Sequence, residues 1–415
     1  MRVLYISYDG MTDPLGQSQV IPYLAGLSQR GYRFTILSCE KQARFQANKE
    51  KVRTLLEKHN IAWVPLIYHK KPPVISSLYD LFSMRKAACR LHEKERFQIV
   101  HCRSYIPGLI GMYMKKKYST KFVFDMRGFW ADERVEGNIW NIKNPLFKAI
   151  YQFFKEKEKQ MLFQADYTIT LTYKARDIIH GWQQTGQQSI PIEVIPCCVD
   201  TTLFDPDQTD KHQQAQLRQQ LNIRKDQFVL TYLGSLGTWY MVEEMIAFFR
   251  KLLKYYPEAV FLFITQDEKT AVVPCLQKYD IPETQVVFTT APREKVPLYL
   301  SLSSASIFFI KPVFSKQASS ATKMGEIMSM GIPMITNRGV GDADEILDDA
   351  GCGLLVTTFD EENYNKTAER IEDILNLPAN KIRSYSKKYF DIEEGISKYQ
   401  RAYFSLQKPV EVKIS

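Results

Sequence analysis

Between residues 3 and 356 this chain alternates short β-branched or aromatic runs with longer amphipathic segments, and it does so in two successive rounds. Parallel strands need a crossover of a dozen or more residues, normally a helix, so the rhythm demands an α/β architecture with parallel sheets. Strands are expected at 3–7, 34–38, 62–65, 99–102, 122–125, 167–171 and 192–195, and then at 228–233, 260–265, 286–289, 305–310, 333–336 and 352–356. Helices are expected at 19–30, 41–59, 78–94, 106–117, 145–165 and 173–182, followed by 241–256, 269–278, 296–303, 322–330, 343–347 and 360–375. Each round reads as a doubly wound domain, and two halves of one architecture imply a cleft between them. Residues 205–220 are polar and Gln-rich, a linker and lead-in helix. Over 381–406, Tyr385, Tyr389, Phe390, Ile396, Tyr399, Tyr403 and Phe404 recur at roughly helical spacing.

At 415 residues the chain exceeds what one hydrophobic core organises, and two domains are expected, 1–200 and 201–385, with 386–415 as a terminal helix. The 45% hydrophobic and 24% charged fractions exclude a disordered or collagen-like chain. No apolar run approaches the roughly 18 to 20 residues that cross a bilayer, and Met1 leads straight into a strand pattern rather than a signal peptide. Seven cysteines without a Cys-x-x-Cys pair read as free thiols of a reducing compartment and give no zinc spacing. A cytoplasmic protein is expected.

The net charge of +9 suits a small anionic ligand or an anionic membrane, and nucleic acid least. Basic residues cluster at Lys115, Lys116, Lys117 and Lys121, and again at Lys148, Lys155, Lys157 and Lys159 with Phe147, Ile150, Tyr151, Phe153 and Phe154 between them. Such a helix fits peripheral contact with the inner face of the cell membrane, and equally a core-facing helix with a solvated charged side.

The most chemically explicit stretch runs from Ser319 to Pro333, a small-residue loop opening a helix that carries Lys323 and Glu326 one turn apart. A helix start offers free backbone N–H groups and partial positive charge. Ser319, Ser320 and Thr322 can cap it, Lys323 adds a cation, and Glu326 can accept from two ribose hydroxyls. An intrahelical Lys323–Glu326 ion pair is the competing reading.

These surroundings resemble a retaining nucleotide-sugar glycosyltransferase of family 4. The opening strand 2–7, the loop with Gly16 and the helix from Tyr23 to Tyr32 are similar to that family's start. Residues 194–204 resemble its passage between domains, and Leu230 to Gly237 resemble the first strand and glycine turn of its donor domain. The resemblance implies the GT-B fold: two Rossmann-like domains across a cleft, with the last helix returning to the first domain. It also implies transfer of a hexosyl or N-acetylhexosaminyl group, from a donor expected to be UDP-linked, to a lipid-linked or surface-glycan acceptor, with anomeric retention. The subgroup with a Ser/Pro-Thr/Ser-Lys-x-x-Glu pattern, found in polysaccharide and O-antigen assembly, matches best.

Breaking a sugar–diphosphate bond builds negative charge on the leaving phosphate, so donors and cations must meet it. Ser319 to Lys323 supply them from one side, Gly16 lets backbone approach from the other, and Gly234, Ser235 and Gly237 form a close turn. The family's first Glu, eight positions before the second, is replaced here by Ala318, and the Arg and Lys pair that follows the glycine turn is missing. Arg293, Lys311 and Lys316 are candidate substitutes for those cations.

On the acceptor side, strand 122–125 runs into Arg127, Trp130, Asp132 and Glu133. By resemblance, Arg127 touches the donor phosphate or the transferred sugar, while Asp132 and Glu133 orient an acceptor hydroxyl. A structural Arg–carboxylate cluster is the alternative, and His101 and Arg103, ending the preceding strand, face the same choice. The histidines are scattered and no Asp-x-Asp diad ends a strand, so metal-independent transfer without a cofactor is expected. A UDP-sugar epimerase of the same fold and an inactive sugar-nucleotide-binding partner remain open alternatives. A Rossmann dehydrogenase is disfavoured, since no Gly-x-Gly-x-x-Gly follows the first strand.

Overall fold

The computed structural model describes residues 1–182 and 189–407. Two compact units emerge: Met1–Pro196 together with the helix Ile392–Ser405, and Cys197–Asp391.

The first unit carries seven parallel strands, β1 (Arg2–Ser7), β2 (Arg33–Glu40), β3 (Ala62–Ile67), β4 (Ile99–Arg103), β5 (Lys121–Asp125), β6 (Tyr167–Thr170) and β7 (Ile192–Val194), in the order 3-2-1-4-5-6-7. β1 lies between β2 and β4, with Tyr5 beside both Ile36 and His101. The second unit carries β8 (Val229–Leu233), β9 (Val260–Ile264), β10 (Val286–Thr289), β11 (Ala305–Phe308), β12 (Met334–Asn337) and β13 (Gly353–Val356), in the order 10-9-8-11-12-13. Both sheets reverse strand order beside their first strand, and ligands of open α/β sheets bind at the carboxyl ends of strands flanking such a reversal. Those ends are Ser7 and Arg103 in one unit, Leu233 and Phe308 in the other.

Continuous apolar runs explain the central strands. β9 reads Val-Phe-Leu-Phe-Ile and every residue of it is buried, as expected for a strand covered by helices on both faces. Its Phe261 and Phe263 join Tyr232, Phe249 and Phe308 among the fully buried side chains of the second unit.

All thirteen strands lie where the hydrophobic pattern puts them. The expected helix 269–278 begins as a 3-10 turn, Lys269–Ala271, before Val273–Lys278, and 360–375 divides into Glu361–Glu369 and Glu372–Leu375; three further features of the helices differ. Gly16 is not in an open loop: it lies within the short helix Pro14–Gln19, and a Cβ there would fall 2.3 Å from the Gly10 carbonyl oxygen. Its smallness is therefore spent on backbone packing inside the first unit. A further helix, Trp130–Glu136, follows β5 where a loop was expected. The terminal aromatic stretch is two helices, Ala379–Phe390 and Ile392–Ser405, because the Phe390 carbonyl accepts from Val199 N–H at 2.7 Å and Asp391 turns extended to pair with Val199.

The last helix packs on the first unit, with Arg30 bonded to Glu393 at 3.0 Å and Lys398 to the Val194 carbonyl at 2.9 Å. A Cβ on Gly26 would collide with Ile396 at 2.4 Å, so the helix docks where Ile21–Gln29 is narrowest. Among the described residues no helix is long and apolar enough to cross a membrane.

Candidate donor and acceptor sites

In the second unit the site is built on helix Thr322–Ser329. Its first residue follows Ala321 in extended conformation, and no side chain caps it. Ser320, a candidate cap, instead accepts a hydrogen bond from Cys197 N–H at 3.1 Å. Met324 N–H turns back to the Ala321 carbonyl at 2.9 Å, so the N–H groups of Thr322 and Lys323 are the ones left for another acceptor, and the dipole favours an anion.

Lys323, one residue into this helix, is only 7% exposed. Its ammonium bonds Tyr232 Oη at 3.2 Å and lies 3.7 Å from the Tyr240 ring centre and 4.2 Å from that of Tyr232. Burial pushes its pKa well below the ordinary lysine value, with Glu326 pulling the other way. The intrahelical ion pair does not form. Glu326 turns to Arg293, Oε1 accepting from Nη1 at 2.6 Å, and Arg293 also lies over the Phe204 ring. Burial raises the Glu326 pKa, and Arg293 counteracts it.

Gly234 follows the last residue of β8 at φ +116°, in the region that favours glycine, and a Cβ there would lie 3.0 Å from Lys323 Nζ. The turn after it is open: Ser235 and Gly237 are exposed, and the Ser235 carbonyl accepts from Tyr232 Oη. Ser319 and Thr322 are half-buried and Lys311 is exposed. Lys316 is buried with its ammonium 3.8 Å from the centre of the Trp239 ring. The structure thus gathers Gly234, Arg293, Lys323 and Glu326 around one helix start. Sequence reasoning missed Tyr232 and Tyr240, the rings that hold the ammonium; two tyrosines flanking the glycine turn were the available signal.

In the first unit the centre of the polar cluster is Asp125, the last residue of β5 and fully buried. Tyr399 Oη donates to its Oδ2 at 3.2 Å, His101 Nε2 lies 3.5 Å and Arg103 Nη1 3.8 Å from the same oxygen, and Arg127 Nη1 lies 3.8 Å from Oδ1. Burial opposes the charge on Asp125, but Arg127, His101 and Arg103 together outweigh it and hold the carboxyl below its usual range. Arg103 Nε also lies 3.6 Å from Asp9 in the loop after β1. Arg127 has φ +60°, an uncommon conformation for a residue with a side chain, and such strain concentrates at ligand-facing turns.

His101 is 1% exposed, with Nδ1 2.6 Å from Tyr403 Oη, and burial lowers its pKa. It braces the returning helix through Tyr403. Two further expectations are corrected. Both Asp132 oxygens are engaged, one by Tyr151 Oη and one by Lys155 Nζ, each at 2.8 Å, and Lys155 also bonds Glu158. Asp132 therefore clamps helix Trp130–Glu136 onto helix Pro145–Gln164. Trp130 is packed among Trp140 and Phe154 at 5.2 and 4.9 Å, with Arg134 over its face. Glu133, half-buried, lies in the same short helix. Asp125 and Tyr399 were not among the expected site residues, although a carboxylate closing the apolar run Phe122 to Phe124 is a signal in itself.

Two doubly wound domains, each open at the reversal of its strand order, define the GT-B class. Residues 16–203 match the model of Glycosyltransferase Family 4, and residues 213–389 match that of Glycosyl transferases group 1. The chain belongs to glycosyltransferase family 4 and is a glycosyltransferase. Among solved structures it resembles the sucrose-phosphate synthase of Thermosynechococcus elongatus at TM-score 0.73 and 16% identity, covering 98% of each chain. It resembles Anabaena HepE in complex with UDP-glucose at TM-score 0.70 and 14% identity, covering 98% of this chain and 100% of that one. It also resembles a putative UDP-N-acetylglucosamine 2-epimerase from Listeria monocytogenes at TM-score 0.58 and 12% identity, over 98% and 97%. No curated protein matches the chain.

Proposed function

We propose that this glycosyltransferase moves a hexosyl or N-acetylhexosaminyl group from a UDP-sugar to a lipid-linked or surface-glycan acceptor, with retention and without a metal ion. The observation that carries the donor half is the Lys323 ammonium, buried against two tyrosine rings at an uncapped helix start. A buried ammonium without a carboxylate partner is costly unless an anion arrives, and a diphosphate supplies one. Glu326, with Oε1 already held by Arg293, keeps Oε2 for the ribose hydroxyls. Anabaena HepE, of the same fold, has been crystallised with UDP and UDP-glucose, which supports the choice of nucleotide.

In the reaction the bond from the anomeric carbon to the diphosphate oxygen breaks as the acceptor oxygen bonds that carbon from the same face. The leaving phosphate takes the acceptor proton. Lys323 and the helix N–H groups meet the charge that develops on the phosphate. Arg127, at its strained turn, is assigned to the phosphate or the transferred sugar, and Arg103 to the acceptor. The basic helices contribute peripheral contact with an anionic membrane: Lys115 and Lys121 are spent on Asp166, whereas Lys116, Lys117 and Lys148 are exposed.

Calorimetry with UDP tests this reading. Lys323→Ala and Glu326→Ala should each weaken binding by about 1.5 to 3 kcal/mol, the range for a hydrogen bond to a charged group. Unchanged affinity in both removes the site. Arg127→Ala should lower turnover with little change in UDP affinity, and conversion of the donor without acceptor would make the protein an epimerase.

A further inference from the structure

The first two turns of helix Ile75–Glu95 are oriented the wrong way for a soluble surface. Ile75, Leu78, Tyr79 and Phe82, spaced as one helical stripe, are 65%, 60%, 59% and 57% exposed. Facing inward are Ser76 and Asp80, ahead of Met84 and Ala88. The Asp80 carboxylate is saturated: it accepts from Tyr8 Oη and His69 N–H at 3.0 Å, and sits 2.6 Å from His69 Nδ1. A patch of apolar side chains this contiguous marks an interaction surface rather than scattered exposure.

Charge identifies the occupant. From Tyr68 to Leu91 the chain carries Lys70, Lys71, Arg85, Lys86 and Arg90, and its only acidic residue is the buried Asp80. The Arg85 guanidinium lies 5.3 Å from the centre of the Phe82 ring and 5.0 Å from that of Tyr113, which extends the patch to the helix bearing exposed Lys116 and Lys117. Apolar anchors ringed by cations fit an anionic bilayer surface, where the side chains enter the headgroup region and the cations meet lipid phosphates. Glu93 and Glu95 stand at the far end of the helix, where the Glu95 carbonyl accepts from Arg2 at the start of β1. Tyr8, following β1, binds Asp80 at the near end. The stripe therefore lies at the carboxyl edge of the first unit's strands, the edge that carries Arg103 and Arg127.

We infer that the amino-terminal half of helix Ile75–Glu95 docks on an anionic lipid bilayer through Ile75, Leu78, Tyr79 and Phe82, presenting the strand ends of the first unit to a lipid-linked acceptor. The inference rests on the proposed function for its purpose but is measured apart from it. Flotation of the full chain with vesicles of phosphatidylcholine, alone or mixed with phosphatidylglycerol, should show binding to the mixed vesicles that falls with added salt. The double variant L78E/F82E should reduce that binding about tenfold or more, with its melting temperature and UDP affinity unchanged. Three results would overturn the inference: no binding by the unaltered chain, full binding by the double variant, or a dimer in light scattering that the double variant abolishes, since a second copy would then cover the stripe. Failure of UDP to bind the unaltered chain would sink the UDP-sugar donor reading instead, leaving the vesicle result to stand.

Discussion

Gly234 and Lys323 touch across the second unit: the backbone of the first comes so near the ammonium of the second that a methyl group between them would sit 3.0 Å from Nζ. The glycine turn and the lysine, eighty-nine residues apart in sequence, form one device, a buried cation with backbone drawn close around it.

Replacing Gly234 by Ala should therefore do two things. An L-residue forced to φ +116° is strained by about 1 to 3 kcal/mol, and the new methyl pushes the ammonium away from Tyr232. A lowered melting temperature together with weakened UDP binding is the expected outcome. Thermal melts and calorimetry on the same preparation would show whether the two losses occur together; weakened stability with intact UDP affinity would separate the glycine from the site.

Lys323→Met should stabilise the empty protein while destroying donor binding. Burial without a carboxylate partner disfavours the charged lysine, so methionine of similar length removes that penalty, worth about 1 kcal/mol or more. The sign with pH follows from the depressed pKa. Between that value and the ordinary 10.5 the unfolded chain holds a proton the folded chain lacks, so stability of the unaltered protein rises with pH across this window. The advantage of the variant should shrink as pH climbs toward 10.5, as read by chemical denaturation at a series of pH values. An advantage that is absent, or that widens with pH, would contradict the burial of an unpaired ammonium.

Asp125→Asn should cost about 3 kcal/mol or more, since it leaves the guanidiniums of Arg103 and Arg127 buried without their shared counter-charge. Because the Asp125 carboxyl is held below its usual range, its contribution is complete above the unfolded value of about 3.9 and is lost as pH falls through the depressed folded value. Denaturation of both proteins into the acid range should show their stabilities converging there and separated at neutral pH. Parallel curves would mean that Asp125 does not serve as the counter-ion of this cluster.

The order of elements was legible because each strand is a short apolar run bounded by turn residues. Runs such as Val-Phe-Leu-Phe-Ile at 260–264 are short, β-branched and aromatic, as a strand buried on both faces requires. Lys323 and Glu326 were legible as a pair, because helical spacing puts both near one turn. Their partners were not. That Glu326 bonds Arg293 instead of Lys323, and that Lys323 is held by Tyr232 and Tyr240, depends on which strands lie side by side, β8 next to β11, which no local pattern encodes.

The same division runs through the first unit. The alternation, the two sheets and the family motifs could be read along the chain, since periodicity and turn chemistry act over a few residues at a time. That Asp132 is bound up by Lys155 and Tyr151, that Gly16 packs against Gly10, and that Tyr399 of the last helix reaches back to Asp125 became visible with the folded chain. Each of those outcomes is a contest between burial and pairing for one polar group or one small residue. The winner is set by neighbours that folding brings from as far as 274 positions away.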